Sequence, residues 1–251
     1  MSDSADRQWV RIDEEIPKWG LVSRPLTTRR SQDFVVDTRG DDDNPGTESD
    51  PLATMQEAFN RLPIFVQHDT TIRVRPGTYT DEAPAIHTGP IVQKAQCTLE
   101  IVGDTDEPER VDVRSGINST YQGKQVHYTI RGIAFDGLSQ FAGPVDLRDC
   151  VFHGNGDAAI SGKNGHVFAK RCRIGTESDR YAIWSTLMES YGLVNCHLAA
   201  SEVAIKANGP GTHRLAANCT IDAPEPFDAD SGSLITHGDE LYVGGRRYTP
   251  A

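Results

Sequence analysis

The chain has 251 residues, 37% of them hydrophobic, with a mean hydropathy of −0.47; that suits one elongated all-β domain, which can run to about 250 residues as a single unit. No apolar run approaches the ~18 residues of a membrane span, and Met1-Ser2-Asp3-Ser4-Ala5-Asp6 lacks the basic-then-apolar layout of a secretory signal, so neither membrane insertion nor signal-directed export is expected. Asp plus Glu number 36 against 25 Lys plus Arg, a net charge of −11, which repels phosphate backbones and argues against nucleic-acid binding.

Residues 1–32 come first in chain order. Trp9, Val10, Ile12, Ile16, Trp19, Leu21 and Val22 make this stretch too apolar for a solvated tail, and Pro17 and Pro25 argue against one long helix. It reads as an N-terminal docking arm, with Trp9, Ile12, Ile16 and Trp19 as its interface residues. The acidic run Asp41-Asp42-Asp43-Asn44-Pro45-Gly46 fails as a calcium loop, because Pro45 stands at the fifth position and Leu52 at the twelfth, where Glu is required. It reads as a solvated turn. Beyond it a capping helix is expected over 51–62, with Asp50 as N-cap, Pro51 in the first turn and Leu52, Met55, Ala58, Phe59 and Leu62 on one stripe.

Alternating pairs then follow: Ile72 and Val74, Leu99 and Ile101, Tyr128 and Ile130, Val145 and Leu147. Side chains two apart in a strand share a face. From there a repeat emerges. Cys150, Cys172, Cys196 and Cys219 each stand two residues before an apolar residue, at spacings of 22, 24 and 23, and Ala159-Ile160, Ala182-Ile183 and Ala204-Ile205 keep the same period out of phase. Each unit of ~23 residues holds short strands whose inner face cannot be buried alone. Stacking copies at ~4.8 Å per rung closes a continuous core, which is a parallel β-helix of roughly six or seven coils, about 30 Å long. The solenoid is expected over 33–240, and Leu241–Tyr248 reads as a closing hairpin within a terminal segment 241–251.

Column geometry argues against zinc at the cysteines, since stacked sulfurs cannot surround an ion; parallel side-chain vectors disfavour disulfides. A packed ladder of inert thiols is expected, with no role for Cys97. Ala159, Ala182 and Ala204 are expected on an outer face beside Ser161, Trp184 and Lys206, where small residues let another backbone approach and Trp184 anchors it.

Gly40-Asp41, then Asp50, Ala53, Gln56 and Ala58, then Ile72-Arg73-Val74-Arg75-Pro76-Gly77-Thr78-Tyr79 resemble the opening of pectate-lyase-like right-handed β-helix proteins: a Gly-Asp turn, a short capping helix, and a strand ending in Pro-Gly-x-Tyr. The resemblance covers about residues 33–240 and implies an all-β, right-handed parallel β-helix. It says little about activity, because lyases, hydrolases, epimerases and viral spikes share this fold. The pectin-hydrolysing branch implies Asn-Thr-Asp, an Asp-Asp pair, Gly-His-Gly and Arg-x-Lys on the coils; this sequence departs from all four, and Asn164-Gly165-His166 lacks the final Gly. The lyase branch implies an acidic calcium cluster beside a basic proton abstractor, for which Asp146, Asp149, Arg171 and Arg173 are the candidates; a plain surface pair of Asp149 with Arg171 is the competing reading. No metal or cofactor is otherwise indicated.

With 23 Asp to 13 Glu and 19 Arg to 6 Lys, the composition resembles that of proteins soluble in concentrated salt. Together with the arm and the missing enzymatic motifs, this leads to an expected virion structural protein. It would be a β-helical spike, turret or tail appendage on the exterior of a haloarchaeal tailed virus. It is expected to be a homotrimer that binds other virion proteins through its arm and touches host glycans. The alternative is a carbohydrate-active enzyme, a lyase or hydrolase of acidic polysaccharide.

Overall fold

A computed structural model describes residues 8–11, 19–22, 27–28, 30–63, 65–80, 84–85, 92–93, 97–119, 127–186, 190–209, 211–215, 218–229, 233–243 and 246–248. The long face of the molecule is a ladder of parallel strands. Gln32–Val36, Thr70–Val74, Leu99–Val102, Tyr128–Arg131, Ser139–Arg148, Ala158–Lys170, Ser190–Val194, Gly211–Leu215 and Ser233–His237 pair one after another. A second face is a 7-stranded parallel sheet running from Gly77–Tyr79 to Thr220–Asp222. A third consists of Tyr181–Ser185, Val203–Ala207 and Glu225–Ala229, which pair onward from the first half of Ala158–Lys170. That strand bends round a corner, so the first and third faces form one 15-stranded sheet. The result is the parallel β-helix that the 23-residue period predicts, opened one strand earlier by Gln32–Val36.

Inside, the expected columns are filled. Cys150, Cys172, Cys196 and Cys219 are all buried, and so are Phe152, Ile174 and Leu198 two residues on. Ile221 is partly buried and packs on the same core. The cysteines are free, and their sulfurs lie against backbone carbonyls, Cys150 Sγ donating to Arg148 O at 3.2 Å and Cys196 Sγ to Ala169 O at 3.4 Å. The Cys196 thiol is pushed up to about 11 by its hydrogen bond with Cys172 and then by burial. Thiols so raised stay protonated and unreactive at neutral pH.

The residue before each of the first three ladder cysteines is left-handed: Asp149 (φ 53°), Arg171 (φ 55°) and Asn195 (φ 54°). This is the conformation that turns each long-sheet strand into the next wall, and Asn and Asp tolerate it best. Val151, which strict alternation after an inward Cys150 would turn outward, is buried beside it.

Both ends differ in detail from the sequence reading or agree with it for identifiable reasons. The capping helix spans Met55–Asn60, and its N-cap is Thr54, whose hydroxyl accepts the Glu57 N–H at 3.1 Å. Asp50 instead closes a turn, its carbonyl accepting from Gly46 and Thr47, while Leu52 is held extended against Val36. The chain therefore cannot turn helical until residue 55. The expected stripe of Leu52, Met55, Ala58, Phe59 and Leu62 is buried. Asp42 is more than a solvated turn residue: its carboxylate accepts the N–H groups of Ala53 (3.0 Å) and Thr54 (2.9 Å) and the Thr54 hydroxyl (2.8 Å). At the far end Glu240–Val243 pairs antiparallel with both Ser233–His237 and Arg246–Tyr248, forming the closing hairpin.

The small-residue column is a correction. Ala159, Ala182 and Ala204 are completely enclosed and belong to the core. In each pair both the Ala and the following Ile are buried, so burial there does not follow strict alternation. The backbone that approaches them is the chain's own: a Cβ built on Gly175 would meet the Ala182 Cα and Cβ at 3.0 Å. An external partner has no access to this strip.

Candidate functional site

The outer side of the long sheet carries an open groove parallel to the stacking direction. Inward residues on its strands, such as Val167, Ala169, Tyr191 and Leu193, are buried. Alternation therefore sends His166, Phe168 and Lys170 outward on one strand, Ser190, Gly192 and Val194 on the next, and Thr212 and Arg214 on the third. The register aligns them, with His166 opposite Ser190 and then Thr212, and Phe168 opposite Gly192 and then Arg214. Two contiguous recesses of about 380 and 280 Å³ share Phe168, Gly192 and Arg214.

Phe168 is 41% exposed. Its ring lies over Gly192, where an added Cβ would come within 3.0 Å of one ring carbon. Glycine at 192 thus lets an aromatic ring lie over the sheet with solvent on its far side, an arrangement suited to stacking a ligand. At the N-terminal end of the groove, Asp146 Oδ1 meets His127 Nε2 at 3.3 Å and Asp146 Oδ2 accepts from Arg148 at 3.3 Å. Among the described residues lining the groove, Asp146 is the one carboxylate. Glycoside hydrolysis by the usual route needs two, about 5–10 Å apart. Among the described residues, no group of three or more His, Cys, Asp or Glu is placed to hold a metal ion.

The four catalytic candidates read from the sequence are dispersed. Asp146 lines the groove. Asp149 and Arg171 stand at successive left-handed turns and pair with each other, Nε to Oδ1 at 2.5 Å and Nη2 to Oδ2 at 2.7 Å; the plain surface pair is what forms. Arg173 lies on the second face and pairs with Glu109. Of the four, the two recesses of the groove are lined by Asp146 alone. Of the interface candidates, Trp9 and Trp19 stand on the antiparallel strands Gln8–Arg11 and Trp19–Val22, with Trp19 opposite Arg11. Ile12 and Ile16 lie outside the described residues. Trp184 sits on the third face, half-buried, its ring 6.0 Å from Tyr181, and its Nε1–H is buried without a hydrogen-bond partner.

Phe168, Lys170 and Arg214 escape sequence reading because each is an ordinary residue on its own strand. The signal exists only once the cysteine ladder fixes the register: His166-Val167-Phe168-Ala169-Lys170 alternates, and its outward members include an aromatic residue where a charge or hydroxyl is usual.

Neither a family model nor a curated protein matches the chain. Among solved structures, a rhamnogalacturonan lyase aligns over 80% of this chain and 74% of its own, at 11% identity and a TM-score of 0.41. The fold itself is read from the strand register: the chain is a parallel β-helix, closed by a helix at one end and a hairpin at the other.

Proposed function

We propose that the chain is a virion structural protein, the β-helical shaft of a spike, turret or tail appendage on a haloarchaeal tailed virus, and that its long sheet contacts host surface glycans. The observation that carries the glycan contact is Phe168, exposed over Gly192 in a groove flanked by the Ser190 and Thr212 hydroxyl groups. An aromatic face beside hydrogen-bonding groups complements the apolar face and rim hydroxyls of a sugar ring. A single lining carboxylate supports contact without turnover. The acidic, lysine-poor composition supports a salt-rich host, and the apolar arm of residues 1–32 supports anchoring to other virion proteins and assembly as a homotrimer.

The first test is the native mass of the full chain in molar salt. A trimer is expected, and a monomer at all concentrations would remove the appendage reading. Deleting residues 1–32 is expected to block incorporation into particles while leaving the strand content unchanged. On a glycan array, Phe168→Ala should abolish the retained signals.

The competing reading, a polysaccharide lyase or hydrolase, is favoured by the His127–Asp146 pair, an acid–base couple in the groove. Turnover of an acidic polysaccharide by the full chain would establish it. Arg171→Ala should leave glycan binding and Tm essentially unchanged, because Arg171 serves a turn on another edge of the coil.

A further inference from the structure

The ion pairs of this acidic chain leave a pattern. Along the coils, basic side chains are neutralised by a neighbouring carboxylate: Arg75 by Asp37 and Glu48, Arg131 by Glu100, Arg180 by Glu202, Lys206 by Asp228. Even Arg148, at the edge of the groove, is held by Asp146. Among the residues whose side chains are described, the basic ones without an ion pair are Arg30, Lys170 and Arg214. Two of these three flank the exposed Phe168. Lys170 follows it by two residues on the same outward face, and Arg214 stands two rungs along in its own row. On a protein of net charge −11, a carboxylate to neutralise them would be easy to place. The groove instead lacks one at these positions, so its local field favours anions.

We infer that the groove binds an anionic polysaccharide, lying along the rod axis with one sugar ring on Phe168 and acid groups paired to Lys170 and Arg214. This rests on the glycan-contact reading above and specifies its ligand. Ser190 and Thr212 offer hydroxyls in the neighbouring row, on the side of Phe168 away from Lys170. The cations are two rungs apart and offset by two residues along the strands, about 12 Å at ~4.8 Å per rung and ~3.3 Å per residue, a spacing suited to a polymer with sparse charge. A nucleic-acid strand carries a phosphate every ~3.4 Å, and two fixed cations would leave most of those facing an acidic protein. Carboxylate and sulfate share the chemistry that an arginine fork and an ammonium recognise.

The test is calorimetric titration of the full chain with four probes: a polyuronate, its carboxyl-reduced neutral form, a sulfated glycan and a single-stranded oligonucleotide. The polyuronate or the sulfated glycan is expected to bind, and whichever binds identifies the acid group. Binding should weaken at least roughly tenfold between about 0.1 and 1 M salt, as the Debye length falls from about 10 to 3 Å. Lys170→Gln and Arg214→Gln should each cost roughly tenfold, one charge-assisted contact. Arg214 is exposed and Lys170 half-buried with its side chain on the outer face, and strand content measured by circular dichroism verifies folding of each variant. If the neutral form binds as tightly and depends on Phe168, the anion assignment fails while the glycan contact stands. If no glycan binds, both fall. Equal or tighter binding of the oligonucleotide through Lys170 and Arg214 would overturn the polysaccharide assignment.

Discussion

His213 shows how one residue can set the acid limit of the rod. It points inward, fully buried, with its ring 5.3 Å from Tyr191 and both nitrogens without a hydrogen-bond partner. Burial lowers its pKa from 6.5 to about 4, because a charged imidazolium cannot be solvated there. The unfolded chain takes up a proton near pH 6.5, which the folded chain refuses until about 4. Stability is therefore full above pH 6.5 and falls by about 3 kcal/mol as pH drops through that window. His213→Leu should be more stable at pH 7, since it removes two orphaned polar atoms, and should flatten the loss between pH 6.5 and 4 in denaturant titrations. An unchanged pH slope would show that another group controls acid unfolding. Asp37 acts in the same direction at lower pH. Its carboxyl is held well below the usual carboxylate range, first by the Arg39 side chain and also by Arg75, so its contribution is lost only as pH falls below about 4.

At the scale of elements, coils are tied together by groups that reach from one turn to the next. Asp179 is the strongest instance. It is 1% exposed, and its carboxylate accepts the N–H groups of Gly154 (2.9 Å), Gly156 (3.0 Å) and Thr176 (2.9 Å) and the Thr176 hydroxyl (3.0 Å). One side chain thus satisfies backbone donors on two successive coils. Gly154 is required for this approach, because a Cβ there would lie 2.2 Å from Asp179 Oδ1. Asp179→Ala would leave buried donors unmet, at a cost of about 3 kcal/mol or more; the measurement is the urea midpoint, and a shift below about 1 kcal/mol would show that water replaces the carboxylate. The sequence makes the thiol and aliphatic columns legible because each member repeats within its own period. It does not reveal Asp179, whose partners lie 3 to 25 residues away. The Thr54 cap was missed for a related reason. Asp50-Pro51 satisfies the local rules for a helix start, but the pairing of Leu52 with Val36, a contact between elements, delays the helix.

For the molecule as a whole, the open ends of a stacked sheet are the hazard, since unpaired strand edges recruit other chains. Packing the helix against Gln32–Val36 and Thr70–Val74 covers one end. At the other, the long sheet continues into the antiparallel hairpin, whose last strand bears Arg246 and Arg247, and the third face ends on Glu225–Ala229 with Pro226, which has no N–H to offer. Removing residues 240–251 should leave Ser233–His237 as a bare edge, and light scattering should report association beyond the full-length oligomer at concentrations where the full chain stays at that mass. If the truncated chain stays monodisperse at the full-length oligomer mass, the hairpin is not the protective element.

The sequence by itself determined the solenoid, its period, the buried cysteine column and the presence of both caps. These follow from side-chain alternation and from the need of each repeat to bury its inner face against the next. Only the tertiary structure decided that the corner alanines are sealed by the chain's own backbone, that Asp149 and Arg171 neutralise each other, and that Phe168, Lys170 and Arg214 share an unpaired face. Those outcomes depend on where strands bend and how neighbouring coils register. Residues 22 to 24 positions apart become contacts only through stacking, and no local pattern encodes which charges then meet.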